Sequence, residues 1–167
     1  MRILFLLWLT LCTGCANLAT YPPVESESLV DLQNPASEPV PTILAETISY
    51  AHSHFGGMDI IVFNLPKGVS EEAYLLVAKK LGDAKIMSSP NQIAYHVTEL
   101  RVRGFSAEAD LVFPSSNGGY EEATIKLASG PFQRWGVSGD RVWLIPLKEP
   151  PAPNFGLAKQ KELQDNS

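Results

Sequence analysis

The sequence predicts an α+β fold: a mainly antiparallel sheet of about five to six strands with two helices on one face, preceded by a disordered tether. Apolar residues recur every three to four positions over two stretches in the first half of the chain, then alternate at every second position in the later half. The segment ahead of them is rich in proline and acid and holds no base. With 45% apolar and 19% charged residues among 167, the chain is globular and has room for one ordinary domain plus extensions.

Taken in order, Met1 and Arg2 give a short positive start and residues 3–11 (ILFLLWLTL) a compact apolar run. This is the layout of an export signal, too short to span a membrane. Residues 16–41 hold five prolines and four acids. Such a stretch has too little apolar surface to offset its ordering entropy, so residues 15–41 read as a flexible spacer. Its full stretch is on the order of 80 Å at ~3.1 Å per residue.

Residues 42–147 carry the periodic patterns of the folded domain. Leu44, Ile48, Ala51 and Phe55 have the spacing of an amphipathic helix, which Gly56 and Gly57 end. Residues 59–65 (DIIVFNL) read as a buried strand closed by Pro66. Ser70 then suits an N-cap, Glu71 and Glu72 the first turn of a helix, and Lys79 and Lys80 its last turn before Gly82; Tyr74, Val77, Ala78 and Leu81 share one face. Beyond it the period becomes two. Strands are predicted over 85–88 and 93–103, through Ala107 to Phe113, and through Ala123 to Leu127 after a turn at 117–119. A last hairpin joins Trp135 and Val137 to residues 142–145 across 138–141 (SGDR), and residues 148–167 form a loose tail.

Charge and cysteine usage exclude several functions. The net charge is −5, and loss of Arg2 with residues 1–14 takes it to −6. An acidic chain without a basic cluster is a poor ligand for phosphates, so no nucleic-acid partner is expected. Both cysteines, Cys12 and Cys15, lie at the end of the first apolar run. The remainder can therefore hold no disulfide framework, no cysteine-rich zinc site and no cysteine nucleophile.

At Leu11-Cys12-Thr13-Gly14-Cys15 the sequence resembles the lipobox of bacterial lipoproteins, in which a small residue precedes an obligatory cysteine. Cys12 stands where that family usually has leucine. The resemblance implies that residues 1–14 are a signal peptide and that Cys15 becomes the amino terminus, carrying a diacylglycerol and usually an amide-linked fatty acid. Each buried methylene contributes about 0.8 kcal/mol, so two or more chains anchor stably where one is marginal. It further implies a bilayer as partner and a place in the cell envelope. Ala16 in the position after the cysteine, where aspartate would retain the protein, resembles sorting to the outer membrane, facing the periplasm in a Gram-negative cell. Ordinary cleavage after Ala16 would instead release a soluble secreted protein.

Few residues suggest chemistry. His52 and His54, with Asp59 near and His96 far along the chain, are the one local group of metal-ligand type. Two histidines two apart share a side on a strand but diverge on a helix, where this pair is predicted. The serines lie in none of the nucleophile, Walker or dinucleotide patterns, and the adjacent pairs Glu71-Glu72 and Glu121-Glu122 point in different directions. No cofactor is expected. Aromatic surface collects around Trp135 and Trp143, with Phe132, Arg134, Arg141 and Tyr120 close in sequence. Because Val142 and Trp143 face opposite sides, one looks away from the core unless a second layer or Phe155 of the tail covers it.

Three functions are thus open. The first is a non-catalytic interaction module engaging an envelope protein or cell-wall partner, with Trp135, Trp143, Arg134, Arg141 and Tyr120 as contacts. The second is a small-ligand or glycan binder, marked by an aromatic-lined pocket between helices and sheet. The third is a metal-dependent hydrolase resting on His52 and His54.

Overall fold

The structure, a computed structural model, describes residues 18–22, 35–56, 58–82, 84–116, 118–147 and 149–155. The expected signal peptide, Cys15, the middle of the expected spacer and the end of the tail lie outside the described residues. The elements run β1 (Leu18–Tyr21), α1 (Val40–Phe55), β2 (Val62–Asn64), α2 (Glu71–Leu81), β3 (Lys85–Ile86), β4 (Tyr95–Arg103), β5 (Ser106–Pro114), β6 (Tyr120–Gly130) and β7 (Gln133–Leu147).

The class is α+β with two helices, and the sheet is mixed. Its order is β3-β2-β4-β5-β6-β7, with β1 added on β4. Among the described residues there are seven strands, where five to six were expected. β2 runs parallel to both β3 and β4, while the remaining pairings are antiparallel. The parallel part arises because α2 carries the chain from β2 back to β3 in the same direction, as a strand–helix–strand crossover must.

Helix α2 forms where its caps place it. The Ser70 hydroxyl accepts from the Ala73 amide at 3.3 Å, Glu71 and Glu72 lie in the first turn, and Lys79 and Lys80 in the last. Helix α1 begins at Val40, two residues ahead of the expected domain boundary and four ahead of Leu44, the first residue of its predicted apolar face. Pro41 sits in its first turn, where the absent N–H has no helical partner to lose, so a residue that reads as spacer is a helix start. Ile43, Leu44, Ile48 and Ala51 are buried on one side of α1, and Gly56 follows with φ 68°, a conformation that favours glycine.

Both helices cover the same sheet face. Phe63 of β2 is the lateral neighbour of Tyr95 of β4. The first meets Tyr74 of α2 (centroids 6.0 Å apart), and the second meets His52 of α1 (6.0 Å). Val97, Leu100, Leu111 and Ile125 continue this buried face. Val97 and Leu100 both point inward because an irregularity in β4 between Val97 and Glu99 resets the alternation.

Two further expectations are corrected. Leu18–Tyr21, inside the segment read as disordered spacer, forms β1, pairing antiparallel with residues 100–103 of β4; Ala19 and Tyr21 enter the core. The final hairpin does not turn at 138–141. β7 is one strand through this region, and the chain reverses at residues 131 and 132. The signal at Ser138-Gly139 belongs to a bulge: Lys126 faces Gly139 while Leu127 faces Val137, leaving Ser138 extra, its hydroxyl donating to the Lys126 carbonyl.

Candidate functional site

On the face opposite the helices the tail covers the end near His96, while the part built from Glu99, Arg101, Glu108, Asp110, Thr124, Lys126, Arg141 and Trp143 is open to solvent. Pairing sets its rows. Thr20, Arg101, Glu108, Lys126 and Gly139 lie side by side across five strands, and Glu99, Asp110, Thr124 and Arg141 form the next row. Hydrogen bonds tie the rows together. Arg101 Nη1 donates to Asp110 Oδ2 and lies equally close to Glu99 Oε1, both at 2.8 Å. Thr124 Oγ1 donates to Asp110 Oδ1 at 2.6 Å and accepts from Trp143 Nε1 at 3.0 Å. The Arg141 guanidinium stacks over the Trp143 ring, 4.2 Å from its centroid.

The carboxylates of Asp110 and Glu99 push the Arg101 pKa further up, so this guanidinium stays charged throughout. A half-buried ion flanked on two sides is held in position, whereas Lys126 and Glu108, 3.6 Å apart, form a looser pair more open to solvent. The result is a fixed, mixed-charge platform edged by one tryptophan. Next to it a groove of about 570 Å³ runs between Thr20, Arg103, Glu108, Lys126 and Ser138.

The sequence-predicted contact residues do not form one patch. Trp143 and Arg141 belong to the open face. Trp135 and Arg134 lie at a cleft of about 580 Å³ on the helix side, bounded by Glu46, Ser49, Lys80 and Leu81. Tyr120 is at the far end of the sheet, its ring 5.7 Å from that of His96. Tyr120 shares the face of Trp143 but lies further along the sheet, whereas the bulge at Ser138, which sequence spacing does not reveal, puts Trp135 and Trp143 on opposite faces. Arg101, Asp110 and Thr124, which organise the platform, read in the sequence as ordinary strand alternation.

The histidines do not converge. His52 Nδ1 lies 3.3 Å from the Tyr95 hydroxyl, which itself donates to the Gly56 carbonyl. His54 stacks on Tyr50 at 3.8 Å on the solvent side of α1. His96 is buried on the opposite sheet face, its Nδ1 3.3 Å from Asn64 Nδ2. Among the described residues no three His, Cys, Asp or Glu side chains come together to hold a metal ion.

Around His96 the chain builds a buried polar cluster that sequence reading missed. Tyr74 Oη accepts from the Leu65 amide and donates to Asn64 Oδ1, both at 2.9 Å. The first part of the tail closes over it: Asn64 Nδ2 donates to the Ala152 carbonyl, and the Asn154 amide donates back to Asn64 Oδ1. Phe155, expected as a cover for Trp143, packs edge-on against Tyr74 at 5.2 Å. Burial lowers the His96 pKa to about 4 and raises that of Tyr74 to about 12. His96 Nε2 has no partner among the described residues.

Among the described residues no helix is long and apolar enough to cross a membrane. No family model, no curated protein and no solved structure matches this chain.

Proposed function

We propose that this protein is a lipid-anchored component of a bacterial cell envelope, and that its domain is a non-catalytic module binding a protein partner through the uncovered face of its sheet. The observation that carries the binding role is the platform of Glu99, Arg101, Asp110, Thr124, Trp143 and Arg141, locked by charge-assisted and neutral hydrogen bonds. Preorganised charges of both signs lose little entropy on binding and select partners by complementarity. Arg141 already stacks on Trp143, so this ring is a poorer platform for a sugar than for a protein surface that engages both side chains. The anchor rests on the lipobox-like run ending at Cys15.

The test is photo-crosslinking in intact cells with a photoreactive residue in place of Ser138 on the open face, or of Glu46 on α1. Discrete adducts to one protein from position 138, absent from position 46 and lost on adding Lys126→Glu, are the expected result. Equal labelling from both positions, or adducts indifferent to Lys126→Glu, would remove the open face as the binding site.

The cleft beside Trp135 favours the small-ligand reading. It has the volume of an ordinary ligand pocket and lies between helices and sheet, with Lys80 and Arg134 at its border. Saturable binding of a cell-wall fragment, abolished by Trp135→Ala and untouched by Trp143→Ala, would make this the better account.

A further inference from the structure

The chain leaves β1 at a defined end of the sheet. Leu18 is paired with Arg103, the last residue of β4, so the polypeptide ahead of Leu18 emerges beside the β4–β5 turn. The β6–β7 turn lies at the same end: Ser106 faces Ala128, and the Ser129 amide donates to the Phe105 carbonyl at 2.9 Å. Each turn presents a large apolar side chain to solvent, Phe105 at 64% exposure and Phe132 fully exposed. Arg103 and Arg134 are exposed beside them and form no ion pair among the described residues.

Only Ala16 and Asn17 separate Leu18 from Cys15. Three peptide steps of about 3.8 Å allow no more than roughly 11 Å between the two Cα atoms. An acyl group on Cys15 would therefore hold this end of the sheet at the bilayer. The proline-rich stretch cannot act as a spacer, because it follows β1 and joins it to α1.

We propose that this end of the sheet is a membrane-seating surface: Phe105 and Phe132 enter the lipid interface beside the acylated Cys15, with Arg103 and Arg134 at the phosphates of anionic phospholipids. The proposal rests on the reading of Cys15 as the lipid attachment point. Apolar side chains inserted among headgroups and cations at the phosphates strengthen an acyl anchor and fix orientation. The domain then stands upright on the membrane, with the charged platform of its open face directed sideways, available to a neighbour in the same bilayer.

The experiment uses the full chain, processed in and purified from a bacterial envelope, with a single cysteine introduced as Phe105→Cys, Phe132→Cys or, at the opposite end of the sheet, Ser116→Cys. Each is labelled with an environment-sensitive fluorophore and reconstituted into phosphatidylethanolamine and phosphatidylglycerol vesicles carrying a spin-labelled lipid quencher. Intact mass is measured on the same samples. Insertion to a depth of about 5–10 Å is expected to give roughly threefold stronger quenching at 105 and 132 than at 116 on an acylated chain. Equal quenching at all three sites on an acylated chain overturns the seating and leaves the anchor standing. An unmodified mass overturns both.

Discussion

His96 shows at the scale of one residue how burial sets a measurable property. Its imidazole is fully buried, with one ring nitrogen unpartnered among the described residues, and burial keeps it neutral down to about pH 4, against an ordinary value of 6.5. Between those values an unfolded chain takes up a proton that the folded chain refuses. The stability linked to this group is therefore fully present above about pH 6.5 and lost as pH falls toward 4. The loss is about 2 kcal/mol between pH 7 and pH 5, and roughly 3 kcal/mol by pH 4. Urea unfolding at the two higher pH values measures it directly. His96→Gln is expected to lower stability at pH 7 but to shrink the pH-dependent difference by most of its size; an unchanged difference would assign the acid sensitivity to other groups. In the sequence His96 reads only as a distant candidate ligand, because its neighbours Asn64 and Tyr120 come from two other elements.

Among the elements, β1 is the one on which the account turns. Tyr21 is 2% exposed at its end, so truncation removes a large buried ring from the core. Tyr21→Ala is expected to cost about 3 kcal/mol in urea unfolding, and amides that alternate along β1, those directed at β4, to be protected from hydrogen exchange. A change under about 0.5 kcal/mol would mean that these residues are not part of the fold. The strand was illegible because its four residues, LATY, sit in proline-rich sequence and pair with a strand some 80 positions later. Legibility followed the range of the forces. α2 could be read in full, since Ser70, the two glutamates, the two lysines and Gly82 all act within one helix. The β6–β7 turn was misplaced because a serine and glycine that bulge a strand resemble those that turn one. The same bulge puts Trp135 and Trp143 on opposite faces, although their spacing in the sequence is that of residues on one side of a strand.

At the scale of the whole molecule, the two sheet faces and two sheet ends differ in chemistry. One face holds both helices, and the other presents the ordered ion pairs of Arg101 and the stacked Arg141 and Trp143. The tail closes one end over His96, while the other carries two exposed phenylalanines where the amino-terminal strand emerges. This polarity fits the proposed attachment at a single point, on which both the proposed seating on lipid and the proposed sideways display of the platform depend. The most direct measurement is the intact mass of the mature protein purified from a bacterial envelope. The expected value is that of residues 15–167 plus a diacylglycerol and a fatty acid; an unmodified polypeptide starting anywhere other than Cys15 would contradict the account.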